Sequence, residues 1–231
     1  MGAGSVRVAT AEAVQPNTEL ETVLWHRGMR RVVGLDEVGR GCLAGPVVAA
    51  ACVLPPGFVP PLPVRDSKQL SRAQRELLAR VILEHAVAVA VGAASHREVD
   101  RLNVRRATVL AMQRALRRLG DWDHALYDGL PMPELPPPRF TAVVNGDERC
   151  LSIACAAIVA KVTRDRLMAR LACRFPAYGW ERNAGYGTPE HLAALGIHGL
   201  SPFHRRTFAP VRLCLDGNDH RETCSDQDLD P

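Results

Sequence analysis

Acidic residues follow three separate apolar runs, and carboxylates placed in this way can do chemistry together. Asp36 and Glu37 follow "VVGL", Asp128 ends "HALYD", and Asp147 ends "TAVVNGD". Each run is typical of a buried β-strand. Ligands of open α/β sheets bind in the crevice beyond the strand ends, so we expect these carboxylates to meet there.

A site made of carboxylates predicts a hard divalent cation. Oxygen ligands with few histidines nearby favour Mg²⁺ or Mn²⁺ over zinc. Two such ions, roughly 3.5–4 Å apart, would hold both the attacking and the leaving oxygen of a phosphodiester displacement. Taken singly, an aspartate after a strand is most often a turn residue or a helix cap, so the hypothesis depends on their joint occurrence. Adjacent Asp36 and Glu37 are expected to face one site only if the strand ends or bulges there.

A glycine-rich loop follows the first two acids. Arg40 lies between Gly39 and Gly41, where the missing side chains let the backbone of a ligand approach closely. Main-chain groups in such a loop can contact a sugar 2′-hydroxyl, the group that distinguishes RNA from DNA. The spacing does not fit the G-x-G-x-x-G dinucleotide-binding pattern.

The charge distribution favours a polyanionic partner. The chain has 231 residues and a formal net charge of +4, but residues 215–231 hold six acids and one arginine, which leaves +9 on the remainder. No apolar run reaches the ~20 residues of a membrane span, and no signal sequence is evident. Seven cysteines without a C-x-x-C pair indicate reduced, mostly buried thiols. We therefore expect a cytoplasmic protein that does not contact the membrane.

Short apolar runs alternate with helical patterns, which predicts an α/β fold with a helical C-terminal extension. Ser71 with Gln74, and Ser95 with Glu98, form capping-box patterns, and "SIACAAIVAKVTRDRLMARL" predicts a long helix suited to close packing. Thr188-Pro189 and Ser201-Pro202 resemble two further helix starts. We predict a mobile lead-in at 1–24, a catalytic core at 25–172, a C-terminal helical subdomain at 173–214 and a disordered acidic tail at 215–231.

Several longer motifs together resemble bacterial ribonuclease HII. They are "GLDEVGRGCLAGPVVAAACVLP", "DSKQLSRAQRE", "YDG", "VNGDERCLSIACAAIVAKVTRDR" and "NAGYGTPEHLAALGIHGLSPFHRRTF", in order from about Trp25 to Val211. The resemblance implies an RNase H-like fold, a mixed β-sheet flanked by helices with a C-terminal helical subdomain. It also implies a divalent-metal endonuclease that acts as a monomer on RNA/DNA hybrids and on duplex DNA containing ribonucleotides.

The same resemblance implies roles for individual residues. The four-acid catalytic and metal site falls on Asp36, Glu37, Asp128 and Asp147. Substrate contacts fall on the 2′-hydroxyl sensor Gly39, Arg40 and Gly41, on Tyr186 packed against the following sugar, and on the phosphate-binding candidates Lys68 and Lys161. Water activated by one metal would attack the phosphate on the 5′ side of a ribonucleotide, leaving 3′-hydroxyl and 5′-phosphate ends.

Other residues and other functions compete with this interpretation. Asp165 is a fifth acid between two arginines, for which we expect an ion pair or a helix-surface role, and His191 and His204 are expected to serve packing or capping. Cys42 and Ala157 stand where the family often has proline and serine. The alternatives are a junction resolvase on the same fold, a nucleic-acid-binding module without catalysis, and a carboxylate-pair glycosidase.

Overall fold

The fold is built on a mixed β-sheet of five strands. The structure is a computed structural model that describes residues 15–64 and 70–214. The strands are β1 Val32–Val38, β2 Val47–Val53, β3 Ala88–Ala94, β4 His124–Asp128 and β5 Phe140–Val143. Their order is β3-β2-β1-β4-β5. The β1–β2 and β2–β3 pairs are antiparallel, whereas β1–β4 and β4–β5 are parallel. The predicted α/β fold is confirmed.

Helices cover both faces of the sheet and form the C-terminal part. They are α1 Glu19–His26, α2 Arg72–His85, α3 His96–Leu102, α4 Val104–Leu119, α5 Gly146–Arg149, α6 Leu151–Ala172, α7 Trp180–Asn183 and α8 Pro189–His198, with a 3₁₀ turn at Pro176–Tyr178. Helix α4 packs on one face of the sheet, and α6 with α2 packs on the other. The predicted capping boxes at Ser71 and Ser95 are both present.

The long helix α6 lies unusually close to β1. A Cβ atom added to Gly34 would stand 2.1 Å from the backbone carbon of Ser152, so only glycine permits this approach. The first half of α6 is almost entirely buried and rich in alanine, as the sequence predicts for close packing on a sheet. This contact fixes the distance between the start of α6 and the first half of β1.

Two predicted element boundaries are wrong. The strand in "TAVVNGD" ends at Val143, because Asn145 adopts a left-handed conformation with φ 53° and starts the short helix α5. Asp147 therefore lies in the first turn of a helix rather than at a strand end. Thr188-Pro189 does start α8, but Ser201-Pro202 forms a turn, because the Ser201 hydroxyl accepts a hydrogen bond from the Phe203 N–H at 3.2 Å.

Helix α1 packs on the body of the protein. Glu21 is buried, and its carboxylate accepts hydrogen bonds from the Ser152 N–H at 2.8 Å and the Cys150 thiol at 3.1 Å. Leu24 is buried against the same part of the sheet. The boundary predicted at residue 25 thus crosses a packed helix, and the packed structure begins before it.

Two predictions fall on residues outside the described part of the chain. Lys68 lies within 65–69, and the acidic tail lies within 215–231. Of the six described cysteines, four are buried, in line with the expectation of buried thiols. No helix among the described residues is long and apolar enough to cross a membrane.

Candidate active site

The predicted acids converge on one cavity of about 580 Å³ beyond the end of β1. Asp36, Glu37, Asp128 and Asp147 all line it. The same walls include every described substrate-contact residue predicted from the sequence, namely Gly39, Arg40, Gly41, Lys161 and Tyr186. The structure therefore brings together all the predicted site residues that it describes.

Adjacent Asp36 and Glu37 both reach the cavity although β1 neither ends nor bulges between them. Strand β1 continues to Val38 along β2, whereas its pairing with β4 stops at Leu35 opposite Tyr127. Beyond that point one edge of β1 has no neighbouring strand, so side chains from both faces can turn into the open space. The expected strand end or bulge is absent, and the early end of the neighbouring strand takes its place.

Asp128 and Asp147 are held together by a main-chain contact. The Oδ1 atom of Asp128, at the end of β4, accepts a hydrogen bond of 2.6 Å from the Gly146 N–H. Gly146 suits this position because an added Cβ would lie 2.8 Å from Cδ1 of Ile153. The contact places the first turn of α5, and hence Asp147, beside the end of β4.

Burial and neighbouring charges raise the pKa of two of the carboxylates, Asp36 and Glu37. Asp36 is only 8% exposed, and burial, followed by the charges of Glu37, Asp128 and Asp147, raises its pKa well above the usual value. Burial also raises the pKa of Glu37, an effect opposed by the Arg40 guanidinium, whose Nη1 lies 3.2 Å from Oε1. A bound cation would relieve this repulsion.

The four carboxylates fit a divalent cation that also binds ligands from outside the protein. All four side chains offer hard oxygen atoms, which suit Mg²⁺ or Mn²⁺. Within residues 15–64 and 70–214, no group of three or more carboxylate, histidine or cysteine side chains is arranged so that it could hold a metal ion by itself. Mg²⁺ commonly takes only one or two protein carboxylates and completes its shell with water and substrate phosphate oxygens.

Basic side chains line the same cavity as the acids. Lys161 Nζ lies 2.8 Å from Oδ1 of Asp165, and Arg75 lies 3.8 Å from Oδ2 of the same carboxylate. The expected ion pair of Asp165 is confirmed, but its partners are not the flanking arginines, because neighbours in a helix point in different directions. Arg75 also lines the cavity and was not predicted, although it lies in the motif "DSKQLSRAQRE".

Tyr186 stands at the edge of the cavity with its backbone firmly held. The residue is 39% exposed, and its phenol lies close enough to the buried thiol of Cys42 to affect the pKa of both groups. Partial burial raises the pKa of this phenol to about 12, so it stays neutral. The two residues also form a β-bridge.

A buried chain of hydrogen bonds supports Tyr186 from behind. His191 Nδ1 lies 2.8 Å from the Tyr186 carbonyl and donates to it, so its Nε2 accepts from Trp180 Nε1 at 3.1 Å. The Nε2 of His204 lies 3.0 Å from the same atom. Burial lowers the pKa of both histidines, in the case of His204 to about 4. Neither lines the cavity, so both serve packing, as predicted.

Comparison with known proteins identifies the family. The family model described as Ribonuclease HII matches residues 33–211. The chain belongs to the ribonuclease HII family. Ribonuclease HII of Thermosynechococcus vestitus is 57% identical over 188 residues, which cover 81% of this chain and 88% of that protein. Ribonuclease HII of a Synechococcus strain is 55% identical over 203 residues, which cover 87% and 91%.

Solved structures agree with this assignment. The crystal structure of ribonuclease H2 from Pyrococcus horikoshii superimposes with a TM-score of 0.68 at 25% identity, covering 81% of this chain and 98% of that one. A ribonuclease HIII solved in complex with Mn²⁺ shares the fold, with a TM-score of 0.66 at 18% identity over 83% of this chain and 71% of that one. As a ribonuclease HII, the chain is a hydrolase and an endoribonuclease that acts on RNA/DNA hybrids, and dependence on divalent metal is general for the family.

Proposed function

We propose that the chain cuts the phosphodiester bond on the 5′ side of a ribonucleotide, including a single ribonucleotide embedded in duplex DNA. The products are a 3′-hydroxyl and a 5′-phosphate end. The observation that carries this proposal is the shared cavity, in which Asp36, Glu37, Asp128 and Asp147 face the glycine-arginine-glycine loop and Tyr186.

The acids are the proposed metal ligands. When bound, two Mg²⁺ or Mn²⁺ ions would supply Lewis-acid stabilisation to the attacking water and to the leaving 3′-oxygen. Asp36 is the most buried of the four and has the other three carboxylates around it, which supports a central place in the set. Their repulsion in the absence of cations also counts against a binding module without catalysis, because such a cavity repels a phosphate backbone.

The basic wall is proposed to hold the substrate backbone. Lys161 lines the same cavity as the acids, and its ammonium group pairs with Asp165 at 2.8 Å. Arg75 stands beside it and adds a second cationic side chain. We assign both to phosphate contacts, and Lys68 to the same role from the sequence. These groups position the phosphodiester rather than enter the reaction.

Substrate choice is assigned to the loop and to Tyr186. Main-chain amides of the loop would contact the 2′-hydroxyl of the ribonucleotide. Tyr186 would lie flat on the next sugar, where a second 2′-hydroxyl would crowd the ring. A junction resolvase needs the acids but neither of these elements, so their presence in the same cavity favours the ribonuclease. A monomeric state and a cytoplasmic location stay predictions.

The direct test uses duplex DNA with one ribonucleotide, incubated with and without Mg²⁺. We expect metal-dependent cleavage on the 5′ side of the ribonucleotide by the unmodified protein. Asp36→Asn and Asp128→Asn each remove one charge at nearly constant volume, so we expect cleavage to be lost while folding and duplex binding persist. Either variant cutting at a rate near that of the unmodified protein would refute the metal assignment.

Asp165→Asn is the matched control. It removes a carboxylate from the same region that lies outside the cavity walls, so we expect a smaller loss of rate than Asp147→Asn gives. A deeper loss at Asp165 would show that the fourth ligand has been chosen wrongly.

A further inference from the structure

Two arginines are completely buried immediately behind the glycine-arginine-glycine loop. Arg164 in α6 and Arg205 in the C-terminal part are both 0% exposed. Neither forms an ion pair with a carboxylate of the described residues. A buried guanidinium without a counter-charge is costly unless all its donors are satisfied, so such a pair calls for an explanation.

Their hydrogen bonds converge on one short segment, residues 39–46, which we name the reader loop. Arg205 donates to the carbonyls of Gly39 at 2.7 Å, Arg40 at 2.8 Å and Gly45 at 3.0 Å. Arg164 donates to the carbonyls of Pro46 at 2.9 Å, Ala44 at 3.0 Å and Ala184 at 2.7 Å. Five of these six acceptors belong to the reader loop.

The contacts to Gly39 and Arg40 determine where two amide groups point. In a trans peptide the C=O and the following N–H point in opposite directions. Because Arg205 holds the carbonyls of Gly39 and Arg40, the N–H groups of Arg40 and Gly41 are directed away from it. Neither N–H donates to another residue in the described part of the chain, and both residues line the cavity. Two donors without a partner among the described residues thus point away from Arg205, in residues that line the cavity.

The second arginine ties the same loop to Tyr186. Its contact with the Ala184 carbonyl holds the turn that leads into Tyr186, and the Leu43 N–H donates to the Gly185 carbonyl at 2.8 Å. Gly39 must lack a side chain here, because a Cβ would stand 2.2 Å from Nε of Arg164. The two arginines together therefore determine the orientation of the amide donors and the position of the Tyr186 ring.

Arginine is suited to this arrangement and lysine is not. A planar guanidinium offers donors in a fixed fork that can serve three carbonyls at once, whereas an ammonium group on a flexible stem cannot match the same set. If the two residues only filled space, an apolar side chain of similar length would serve without the cost of desolvation.

We propose that Arg164 and Arg205 are positioning residues for ribonucleotide recognition, which orient the Arg40 and Gly41 amides toward the 2′-hydroxyl and hold Tyr186 beside it. The proposal rests on the proposed function, since it assumes that this cavity distinguishes a ribonucleotide from a deoxyribonucleotide. It adds that the groups which contact the ribonucleotide are oriented by two residues that do not contact the substrate themselves.

The test compares two constants for each variant, the KM for duplex DNA with one ribonucleotide and the inhibition constant of an all-deoxy duplex of the same sequence. Their ratio measures the preference for the ribonucleotide. For Arg205→Met and Arg164→Met we expect the inhibition constant to stay within about twofold and the preference to fall about tenfold, the scale of one lost hydrogen bond. Arg205→Lys and Arg164→Lys should restore part of the preference.

Arg166→Met is the matched control, because Arg166 lies two residues further along α6, is half exposed and pairs with Glu76. It should leave the ratio unchanged. Thermal unfolding identifies any methionine variant that fails to fold. In that case the lysine variants test the proposal. If the arginines serve packing alone, the lysine variants keep the ribonucleotide preference of the unmodified protein. An unchanged ratio in folded variants would overturn the positioning role alone. An unmodified protein with no ribonucleotide preference would overturn the proposed function and this role together.

Discussion

Tyr186 is the residue at which substrate choice can be tested most simply. Its ring is partly exposed at the cavity edge, and its backbone is fixed by His191 and the bridge to Cys42. We expect Tyr186→Ala to slow cleavage of the single-ribonucleotide duplex strongly and cleavage of continuous RNA/DNA hybrid less. A lost stacking contact is worth ~1–3 kcal/mol. The measurement is the ratio of initial rates on the two substrates.

Tyr186→Phe is the companion variant. It keeps the ring but removes the hydroxyl next to the Cys42 thiol, so we expect a ratio close to that of the unmodified protein. If the alanine variant lowers both rates equally and also unfolds at a lower temperature, Tyr186 is a core residue and not a substrate contact.

At the scale of single residues, the sequence predicts the acids well and the buried arginines not at all. Asp36, Glu37 and Asp128 follow apolar runs, as expected of acids at buried strands, although only Asp128 ends its strand and β1 continues to Val38. Arg164 and Arg205 instead donate to backbone carbonyls up to 166 residues away. Every residue has a backbone carbonyl group, so a hydrogen bond from a side chain to a distant carbonyl cannot be predicted from the pattern of side chains in the sequence.

Among the elements, the crossing of β1 and α6 is the contact on which the site geometry depends. A Cβ at Gly34 would stand 2.1 Å from the Ser152 backbone, so Gly34→Ala must push α6 away from the sheet. We expect a loss of stability of about 1–3 kcal/mol, the usual cost of overpacking, together with reduced cleavage because Lys161 moves with the helix. Urea unfolding and initial rates measure the two effects.

Gly196→Ala is the opposite case on another helix. Nothing lies within 4 Å of a Cβ added there, and the residue is inside α8. We expect a gain in stability of about 0.5–1 kcal/mol with no change in rate, since alanine favours the helix. If Gly34→Ala and Gly196→Ala lost the same amount of stability, the close contact between β1 and α6 would not be the reason for the effect at Gly34.

Helix starts and most strands were predictable because local signals specify them. Ser71 and Ser95 cap helices as their spacing predicts. The failures have tertiary or conformational causes. Asn145 turns the chain by adopting a left-handed conformation, which sequence allows but does not require, and Ser201 uses its hydroxyl for a turn closed by Phe203 instead of a helix cap. The early end of β4 beside β1 depends on two segments about ninety residues apart.

Over the whole molecule, buried neutral histidines make stability depend on pH. Burial lowers the pKa of His204 to about 4 and also lowers those of His96, His124 and His191. The unfolded chain binds protons near the ordinary histidine pKa of about 6.5 and the folded chain does not, so the stabilisation is present above that value. It falls as the pH drops toward about 4.

We therefore expect the melting temperature to fall between pH 7 and pH 4, and His204→Gln to flatten this dependence while lowering stability at neutral pH. The contribution of His204 is on the order of 3 kcal/mol over this interval. Glu98, whose pKa the Arg114 guanidinium lowers to about 2, acts in a different window, because its contribution is lost only below the ordinary carboxylate pKa. A slope unchanged in the His204 variant would contradict the assignment.

Removal of the acidic C-terminal segment tests whether residues 215–231 are required for turnover. The family match ends at residue 211, and the cavity is lined by residues between Asp36 and Tyr186. We expect a chain lacking 215–231 to keep its turnover and to bind duplex more tightly at low salt, because six acids that repel a phosphate backbone are gone. A large loss of turnover with unchanged melting temperature would count against this expectation.

The long-range contacts of the reader loop have a consequence for how the protein is made. A ribosome releases the chain from its N-terminus, so all four acids emerge well before Arg205 does. Until that residue has left the exit tunnel, the carbonyls of Gly39 and Arg40 lack the donor that orients their peptide planes. If Arg205 has the role proposed above, the order of synthesis completes the reader loop last, after all four proposed metal ligands have been made.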